Sequence, residues 1–554
     1  MAGGDKPLRI GLMLDAASVP GWIAPALTEI QERGLGEVVL AVIRQEPPRK
    51  RPSRPLQWWR NRSVLGYALI ERLARRTAHK GELHQEVDLS IACPGSAMLQ
   101  VSPQVGKWTD SLSDEDVATI RGYQLDILLR LGFRILRGTV LTSARHGVWS
   151  FHHGDNRTNR GGPPGVWEVL EDRVESGVTL QVLTESLDGG EVLAWAVCAT
   201  QRFSFRRNFD QLLRRSSRML VRSVERTYAT GAPSQLLPQD QHNWPGYSGR
   251  VYRTPTNTVL LGAALRLGSR YVGMRARNAG KKLQWSLAWH WRQSPDSDAP
   301  HQVINQYREI LPPHDRYWAD PFVAYDAGRW WLFFEEFIDR ENRGGLCVWE
   351  IGPTGPIGAP KRILDVPYHL SYPHVFKFQD RWYLMPECEQ AGRLEIFVAT
   401  SFPFEWASHT RLMEGSRIVD ATLLEHEGHW YLFASQVEDN LEASEELRAF
   451  VGSSPLGPFH PHPLNPLVSD VRRARMAGRF FRFDGRLYRP AQRCVPRYGA
   501  GVVVHEVTEL TPSSYGERVV EELRPRWKKE LIGFHTINCA AGLSAIDVLR
   551  MVRK

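Results

Sequence analysis

The sequence predicts a multidomain chain, an α/β domain built on a doubly wound parallel sheet and then an all-β five-bladed propeller. Two observations carry this. Over roughly the first two hundred residues, short apolar runs of buried-strand type alternate with segments of helical spacing. In the second half a strand–turn–strand pattern recurs four times. The chain has 554 residues, and at about 100–200 residues per domain that length implies several units.

The elements of the first part follow in order. Leu8–Leu14, LRIGLML, is a short apolar run. Ile23–Gly34 has apolar residues at helical spacing and a glycine stop, and Glu37–Ile43, EVVLAVI, is a second strand. This β-α-β opening predicts a parallel sheet. Further strands are expected at Asp88–Cys93, Leu125–Leu131, Gly147–Phe151, Gly177–Leu183 and Glu191–Val197, with helices at Asp114–Gly122 and Asn208–Tyr228. The expected boundaries are 1–230 for the α/β domain, 231–282 for a linker and basic helix, and 283–554 for the propeller. The linker reading rests on the Pro, Gln and Gly of Gly231–Gly249. The helix around Thr258–Arg277 could pack between domains or make peripheral contact with a membrane surface.

In the second half, the runs starting at Ala319, Ser371, Val419 and Arg475 each give an apolar strand, a turn with Asp or Gly, and a strand with aromatic residues. They recur at roughly fifty residues, the period of propeller blades. A fifth blade is expected from Gly533–Asp547, closed by strands from Trp285–Trp291.

Composition narrows the function. The formal net charge is +9, concentrated in Arg44–Arg62 and Arg250–Lys282. Those segments are either solvated surface or a site for anionic partners such as nucleotide diphosphates or acidic glycans. No nucleic-acid motif accompanies the charge, so a nucleic-acid partner is not expected. The 6 cysteines lie scattered without metal-ligand or disulfide-framework spacing, so no metal is expected. No long apolar run or leader pattern is present, and the expected compartment is the cytoplasm. Oligomeric state is not readable.

Ser150–Leu193 carries the chemistry. It places His152 at a strand end, follows it with a polar Gly/Pro-rich loop, and closes on Asp188-Gly-Gly. A His and an Asp too far apart for one local element, yet spaced for neighbouring strand ends, can move a proton and support a tetrahedral intermediate. The alternative is a hydrogen-bonded core histidine and a turn aspartate. The run SFHHGDNRTNRGGPP from Ser150, with WEVLEDRVES, GVT from Gly177 and LDGGEVL from Leu187, resembles the core of the 10-formyltetrahydrofolate-dependent formyltransferases, which act on methionyl-tRNA, glycinamide ribonucleotide and amino sugars. The likeness extends to DILLRLGFRIL at Asp126–Leu136. It implies a Rossmann-like formyltransferase domain, 10-formyltetrahydrofolate as donor, His152 at the reacting centre and Asp188 orienting it.

This sequence departs from the family pattern at two places. Ser150 stands where the family has its catalytic Asn. Loss of one oxyanion donor typically costs about 10²–10³ in rate. His153, Gly154, Asp155, Asn156 and Arg157 replace the family's apolar loop, which points to altered substrate contacts at His153, Asp155 and Asn156. Arg160 and Gly161 match the family's Arg-Gly pair and are expected to shape the loop. No Gly-x-Gly-x-x-Gly fingerprint supports a nicotinamide cofactor.

The runs ADPF at Ala319 and FFEE at Phe333 resemble five-bladed family 43-like glycosidases and, more closely, the N-terminal domain of glucosamine inositolphosphorylceramide transferases. Asp320, Glu335 or Glu336, His374, Glu387 and Asp420 are then candidates to line the axial funnel. Paired carboxylates there could cleave a glycosidic bond, bind a sugar, or cap strands. The leading expectation is N-formylation of an amino sugar or sugar-linked amine in surface glycan biosynthesis, with the propeller binding a glycan or nucleotide-sugar acceptor. The alternatives are a glycosidase or glycosyltransferase acting through the propeller, and a non-catalytic glycan-binding protein.

Overall fold

The computed structural model describes residues 6–45, 62–78, 82–186, 190–233, 249–292, 301–302, 304–437, 442–525 and 527–554. Among these the chain forms two compact units, one up to Val272 and one from Gly273. The linker expected at 231–249 falls mostly outside the described residues, as does most of the basic segment 44–62.

The first unit is built on a seven-stranded sheet of β1 (Leu8–Leu14), β2 (Gly36–Arg44), β3 (Ala97–Val101), β4 (Ile127–Arg130), β5 (Val148–His152), β6 (Glu175–Val182) and β7 (Glu191–Ala199). Their order across the sheet is β7-β6-β5-β4-β1-β2-β3. The five strands from β5 to β3 pair parallel, whereas β5–β6 and β6–β7 are antiparallel. The strand that ends at His152 pairs antiparallel with β6, His152 facing Thr179. The central strands are near-continuous apolar runs because helices and loops cover both faces. Trp149, Leu12 and Met13 are fully buried, and burial of a large apolar side chain is worth about 1.5–3 kcal/mol.

Helix α1 (Ala24–Glu32) packs Leu27 and Ile30 into the same core as α2 (Phe205–Thr230), a long helix burying Leu212, Leu220 and Val224. Ser204 caps α2 by accepting from Arg207 N, and Gly231 ends it in the left-handed conformation at φ 75°. Asp88–Cys93 is a correction: only Glu86–Asp88 is extended, and Leu89–Ala92 is a helical turn. Asp88 accepts from Ser90 N at 2.8 Å, and this N-cap overrides the apolar run. Within WEVLEDRVES, Trp167–Leu170 is helical and Glu175 opens β6. The basic helix forms at Asn257–Asn278 and buries only Ala263 among its side chains. Among the described residues no helix is long and apolar enough to cross a membrane.

The second unit is a ring of five antiparallel sheets, the five blades. Blade I runs through Arg316–Asp326, Arg329–Ile338, Arg343–Gly352 and Gly355–Arg362; blade II opens at Ser371–Phe378, blade III at Arg417–His426 and blade IV at Phe481–Phe483. Blade V is assembled from both ends of the unit. Lys281–Trp291 pairs along its whole length with Leu543–Arg553, which closes the ring and leaves neither terminal strand as a free edge.

One backbone device recurs at the start of the first three blades. Asp320, Tyr372 and Asp420 have φ of 51°, 44° and 51°, each where the pairing register slips, at Ala319/Phe322, Ser371/His374 and Val419/Thr422. Such a bulge bends the strand and re-aims the side chain. In the fourth repeat Gly478 takes the left-handed turn at φ 119°. The four sequence repeats thus share one residue at positive φ, strained in the first three and a glycine in the fourth.

Candidate functional site

Two constellations stand out, one in each unit. In the first, β5 brings Ser150 and His152 to the carboxyl end of the sheet, and period-two alternation puts both on one face. Ser150 lies in register with Arg130, the last residue of β4, whose Nε donates to Ser150 Oγ at 3.2 Å. His152 Nε2 lies 2.8 Å from the carbonyl oxygen of Asn159. Asn159 Nδ2 in turn donates to Glu168 Oε1 at 2.9 Å. Glu168 sits on the short helix Trp167–Leu170 and is 2 % exposed. Burial raises its carboxyl above the ordinary range, against the opposing pull of the Asn159 hydrogen bond and of nearby Arg173 and His152. Asp188 lies outside the described residues.

The neighbouring loop is folded onto itself. The His153 ring is ringed by Trp22, Phe151 and Phe209 at 5.4, 6.0 and 5.5 Å. Burial, with the adjacent His152 and Arg130 charges, pushes it down to about 3, so it stays neutral. Asp155 grips Arg157 through Nη2 at 2.7 Å and accepts its backbone N–H at 3.0 Å. Asn156 donates to Gln181 Oε1 at 2.9 Å, and Arg160 Nε donates to the Asn156 carbonyl at 3.3 Å. Gly161, at φ 96°, bridges to Tyr252. A Cβ on Gly177 would come within 2.8 Å of the Asp155 Cβ, which is why a glycine opens the Gly-Val-Thr run. Asp155, Asn156, Arg160 and Gly161 therefore build the loop, while Ser150 and His152 stand at the strand end.

Arg130, Asn159 and Glu168 are the residues sequence reading passed over. Arg130 looked like the end of an apolar strand, and Glu168 like an ordinary helix carboxylate. The available signal was a Glu flanked by the apolar Trp167, Val169 and Leu170.

In the propeller, carboxylates from four sequence-distant segments meet near the axis. Asp320 accepts from Thr536 Oγ1 at 2.8 Å and from Tyr372 N at 3.3 Å, and its Oδ1 lies 3.3 Å from His535 Nε2. Asp547 Oδ2 lies 2.8 Å from His535 Nδ1 and also accepts from Asp320 N at 3.1 Å. Asp320, His535 and Asp547 offer ligand atoms all within 4.8 Å of one another, an arrangement able to hold a cation. Asp420 pairs with Arg475 and accepts from Gln492 Nε2 at 2.7 Å, and Glu387 Oε2 accepts from Asp420 N at 3.1 Å. Glu335 Oε1 accepts from the Tyr317 hydroxyl at 3.3 Å.

Crowding these acids in a dry interior shifts their protonation. Burial pushes Asp320 up to about 6, with His535 opposing and the Asp420 and Asp547 charges adding. Burial and neighbouring carboxylates hold Glu335 and Glu387 well above the usual carboxylate range. His535 is raised: burial alone would lower it, and the Asp547 and Asp320 carboxylates outweigh that. The centre therefore holds carboxyls biased toward the protonated form, able both to donate to and accept from hydroxyl groups. At its rim Trp285 lies over His535 at 4.1 Å and the exposed Tyr498 at 5.1 Å.

Two candidates fall elsewhere. Glu336 lies on the opposite strand face from Glu335, where it accepts from Trp318 Nε1 and Arg316 Nη1, each at 3.1 Å. His374 is buried against Phe322 and accepts from Leu423 N at 3.4 Å. Its contacts are with the packing between blades.

Comparison with known proteins matches both units. Residues 311–535 match the family model described as glucosamine inositolphosphorylceramide transferase 1, N-terminal. Glucosamine inositolphosphorylceramide transferase 1 of Oryza sativa subsp. japonica is 36% identical over 203 residues, which is 36% of this chain and 27% of that protein. The match thus spans about a quarter of that relative's length. Methionyl-tRNA formyltransferase of Listeria innocua serovar 6a is 28% identical over 100 residues, covering 18% of this chain and 32% of that protein. Among solved structures, the catalytic domain of the Coprinopsis cinerea GH62 α-L-arabinofuranosidase is 15% identical with a TM-score of 0.35, covering 48% of this chain and 98% of that one. The chain joins a formyltransferase-like α/β unit to a β-propeller similar to the N-terminal region of the glucosamine inositolphosphorylceramide transferases.

Proposed function

We propose that the chain is a transferase of surface glycan assembly, in which the α/β unit N-formylates an amino sugar or sugar-linked amine from 10-formyltetrahydrofolate and the propeller binds the glycan. The observation that carries this reading is the His152 imidazole at the carboxyl end of β5, held through Asn159, with the Arg130 guanidinium against Ser150 on the same strand. The amine nitrogen attacks the formyl carbon, and a new C–N bond forms. His152 takes the amine proton and returns it to the departing folate nitrogen as the old C–N bond breaks. Arg130 places a positive charge beside the Ser150 hydroxyl, which stands in place of a fixed amide donor, and stabilises the oxyanion.

The test is incubation of the full chain with 10-formyltetrahydrofolate and a panel of amino-sugar nucleotides, read by mass spectrometry for a formyl adduct that His152→Ala abolishes. No product with any acceptor, together with no folate binding, sinks the proposal. A second reading, glycoside or glycosyl chemistry in the propeller, is favoured by Glu335 and Glu387, whose carboxyls are biased toward the protonated form, beside Asp320 and Asp420. Activity lost in Asp320→Asn but kept in His152→Ala would select it. Glycan binding without turnover, surviving both changes, would select a binding protein.

A further inference from the structure

The contact between His152 and Asn159 fixes more than a ring position. A backbone carbonyl oxygen can only accept a hydrogen bond. With Nε2 2.8 Å from the Asn159 carbonyl, that nitrogen must carry the proton, and in the neutral ring Nδ1 is left as the basic atom. The tautomer follows from the chemistry of the partner, not from an assigned hydrogen. The ring has little freedom to turn, because Gly154 packs against it: a Cβ there would come within 2.6 Å of Nε2.

The carbonyl that sets the tautomer lies in a loop and needs its own anchor. Asn159 is 4 % exposed, and its side-chain amide donates to Glu168 Oε1 at 2.9 Å. Glu168 is buried in turn, while Arg173 Nη1 donates to the adjacent Thr158 carbonyl at 3.0 Å. The chain of contacts runs from a buried carboxyl, through one side-chain amide and its own backbone, to the imidazole.

We infer that Glu168 is a positioning residue that, through Asn159, locks His152 in the Nε2–H tautomer and so makes Nδ1 the proton-accepting atom of the site. Its role in formyl transfer rests on the function proposed above; the tautomer itself does not. Glu168 touches no reacting atom. It acts on which nitrogen is basic, and thus on the direction from which an amine proton can be taken. In the reaction, Nδ1 gains the proton of the attacking amine while Nε2–H stays on the Asn159 carbonyl. The imidazolium formed is stabilised there, then releases the Nδ1 proton to the leaving nitrogen, restoring the starting tautomer.

The experiment is ¹⁵N-histidine NMR of the full chain, with the His152 resonances assigned by their loss in His152→Gln. The wild type is expected to show a protonated Nε2 and an unprotonated Nδ1 in the neutral ring. Glu168→Leu, which keeps apolar bulk but frees the Asn159 amide, is expected to give a mixture of tautomers and at least a tenfold fall in kcat with KM little changed. Glu168→Gln keeps an acceptor for Asn159 and is expected to restore the wild-type spectrum and most of the rate. A wild-type ring protonated at Nδ1, or a Glu168→Leu spectrum identical to wild type in a folded protein, overturns the inference. Because the NMR readout needs no substrate, a correct tautomer with no formyl transfer would overturn the proposed function and leave the lock standing.

Discussion

His535 Nδ1 and Asp547 Oδ2 lie 2.8 Å apart in the interior of blade V, the histidine side chain 3% exposed and the aspartate 0%. The pair favours the charged form of His535 in the folded state against the cost of burial. A histidine raised above its ordinary 6.5 binds its proton more tightly folded than unfolded. Its contribution to stability is fully present below 6.5 and is lost as pH rises through the folded value. His535→Gln is expected to lower the melting temperature of the propeller at pH 6 and to narrow the gap to wild type at pH 9, as measured by calorimetry across that range.

Glu335 works in the same direction from the acid side. Its carboxyl is held well above 4.5 by burial and by Asp320 and Glu387, so the folded state retains a proton that the unfolded chain gives up. Its favourable contribution is present below 4.5 and is lost with rising pH. Glu335→Gln mimics the protonated form. It is expected to be at least as stable as wild type at pH 8 and to flatten the alkaline loss in a series of thermal melts. A variant less stable than wild type at every pH would contradict the assignment of a neutral carboxyl.

Blade IV carries the opposite case. Arg489 and Glu517, with side chains 0% and 1% exposed, meet at 2.7 Å (Nε–Oε2) and 2.8 Å (Nη2–Oε1). Burial alone would raise Glu517, and the guanidinium overrides it and depresses the carboxyl strongly. The stability this confers is present above 4.5 and is lost as pH falls. Arg489→Met strands a buried charge and should cost about 3–5 kcal/mol, while Arg489→Met with Glu517→Leu recovers most of it. Denaturant unfolding of both variants at pH 7 separates the two outcomes.

Gly161 is a stability prediction for the formyltransferase-like unit. At φ 96°, with a Cβ that would meet the Tyr252 carbonyl oxygen at 2.2 Å, no L side chain fits without moving the Gly161–Tyr252 pairing. Gly161→Ala is expected to cost more than about 1–3 kcal/mol. Hydrogen exchange of the first unit should show the loss confined to the 154–168 loop and its neighbours.

Arg130 separates a structural contact from a catalytic one. If its guanidinium supplies the oxyanion charge beside Ser150, Arg130→Met should lower kcat for formyl transfer by about 10²-fold with the melting temperature little changed. Equal turnover in a folded variant would remove Arg130 from the mechanism.

Much of this molecule was legible in its residues. LRIGLML at Leu8–Leu14 forms the strand its apolar run predicts, and the four aromatic repeats are four consecutive blades. Local pattern sufficed there because each element buries its own face at its own period. It failed at Asp88–Cys93, where one side-chain oxygen capping Ser90 N turned a strand-like run into a helical turn.

The sequence by itself determined the fold class, the ring closed by its two terminal strands, and the placing of His152 at a strand end. These follow from strand alternation and repeat length, which are local. Only the tertiary structure decided which polar groups meet. Glu335 and Glu336 are adjacent in sequence, yet the pleat sends one to the axis and the other to Trp318. His535 and Asp320 are more than two hundred residues apart and meet because the ring closes. Glu168 reaches His152 only through the carbonyl of Asn159. Convergence of this kind depends on where distant backbones cross, and no periodicity along a single chain encodes that crossing.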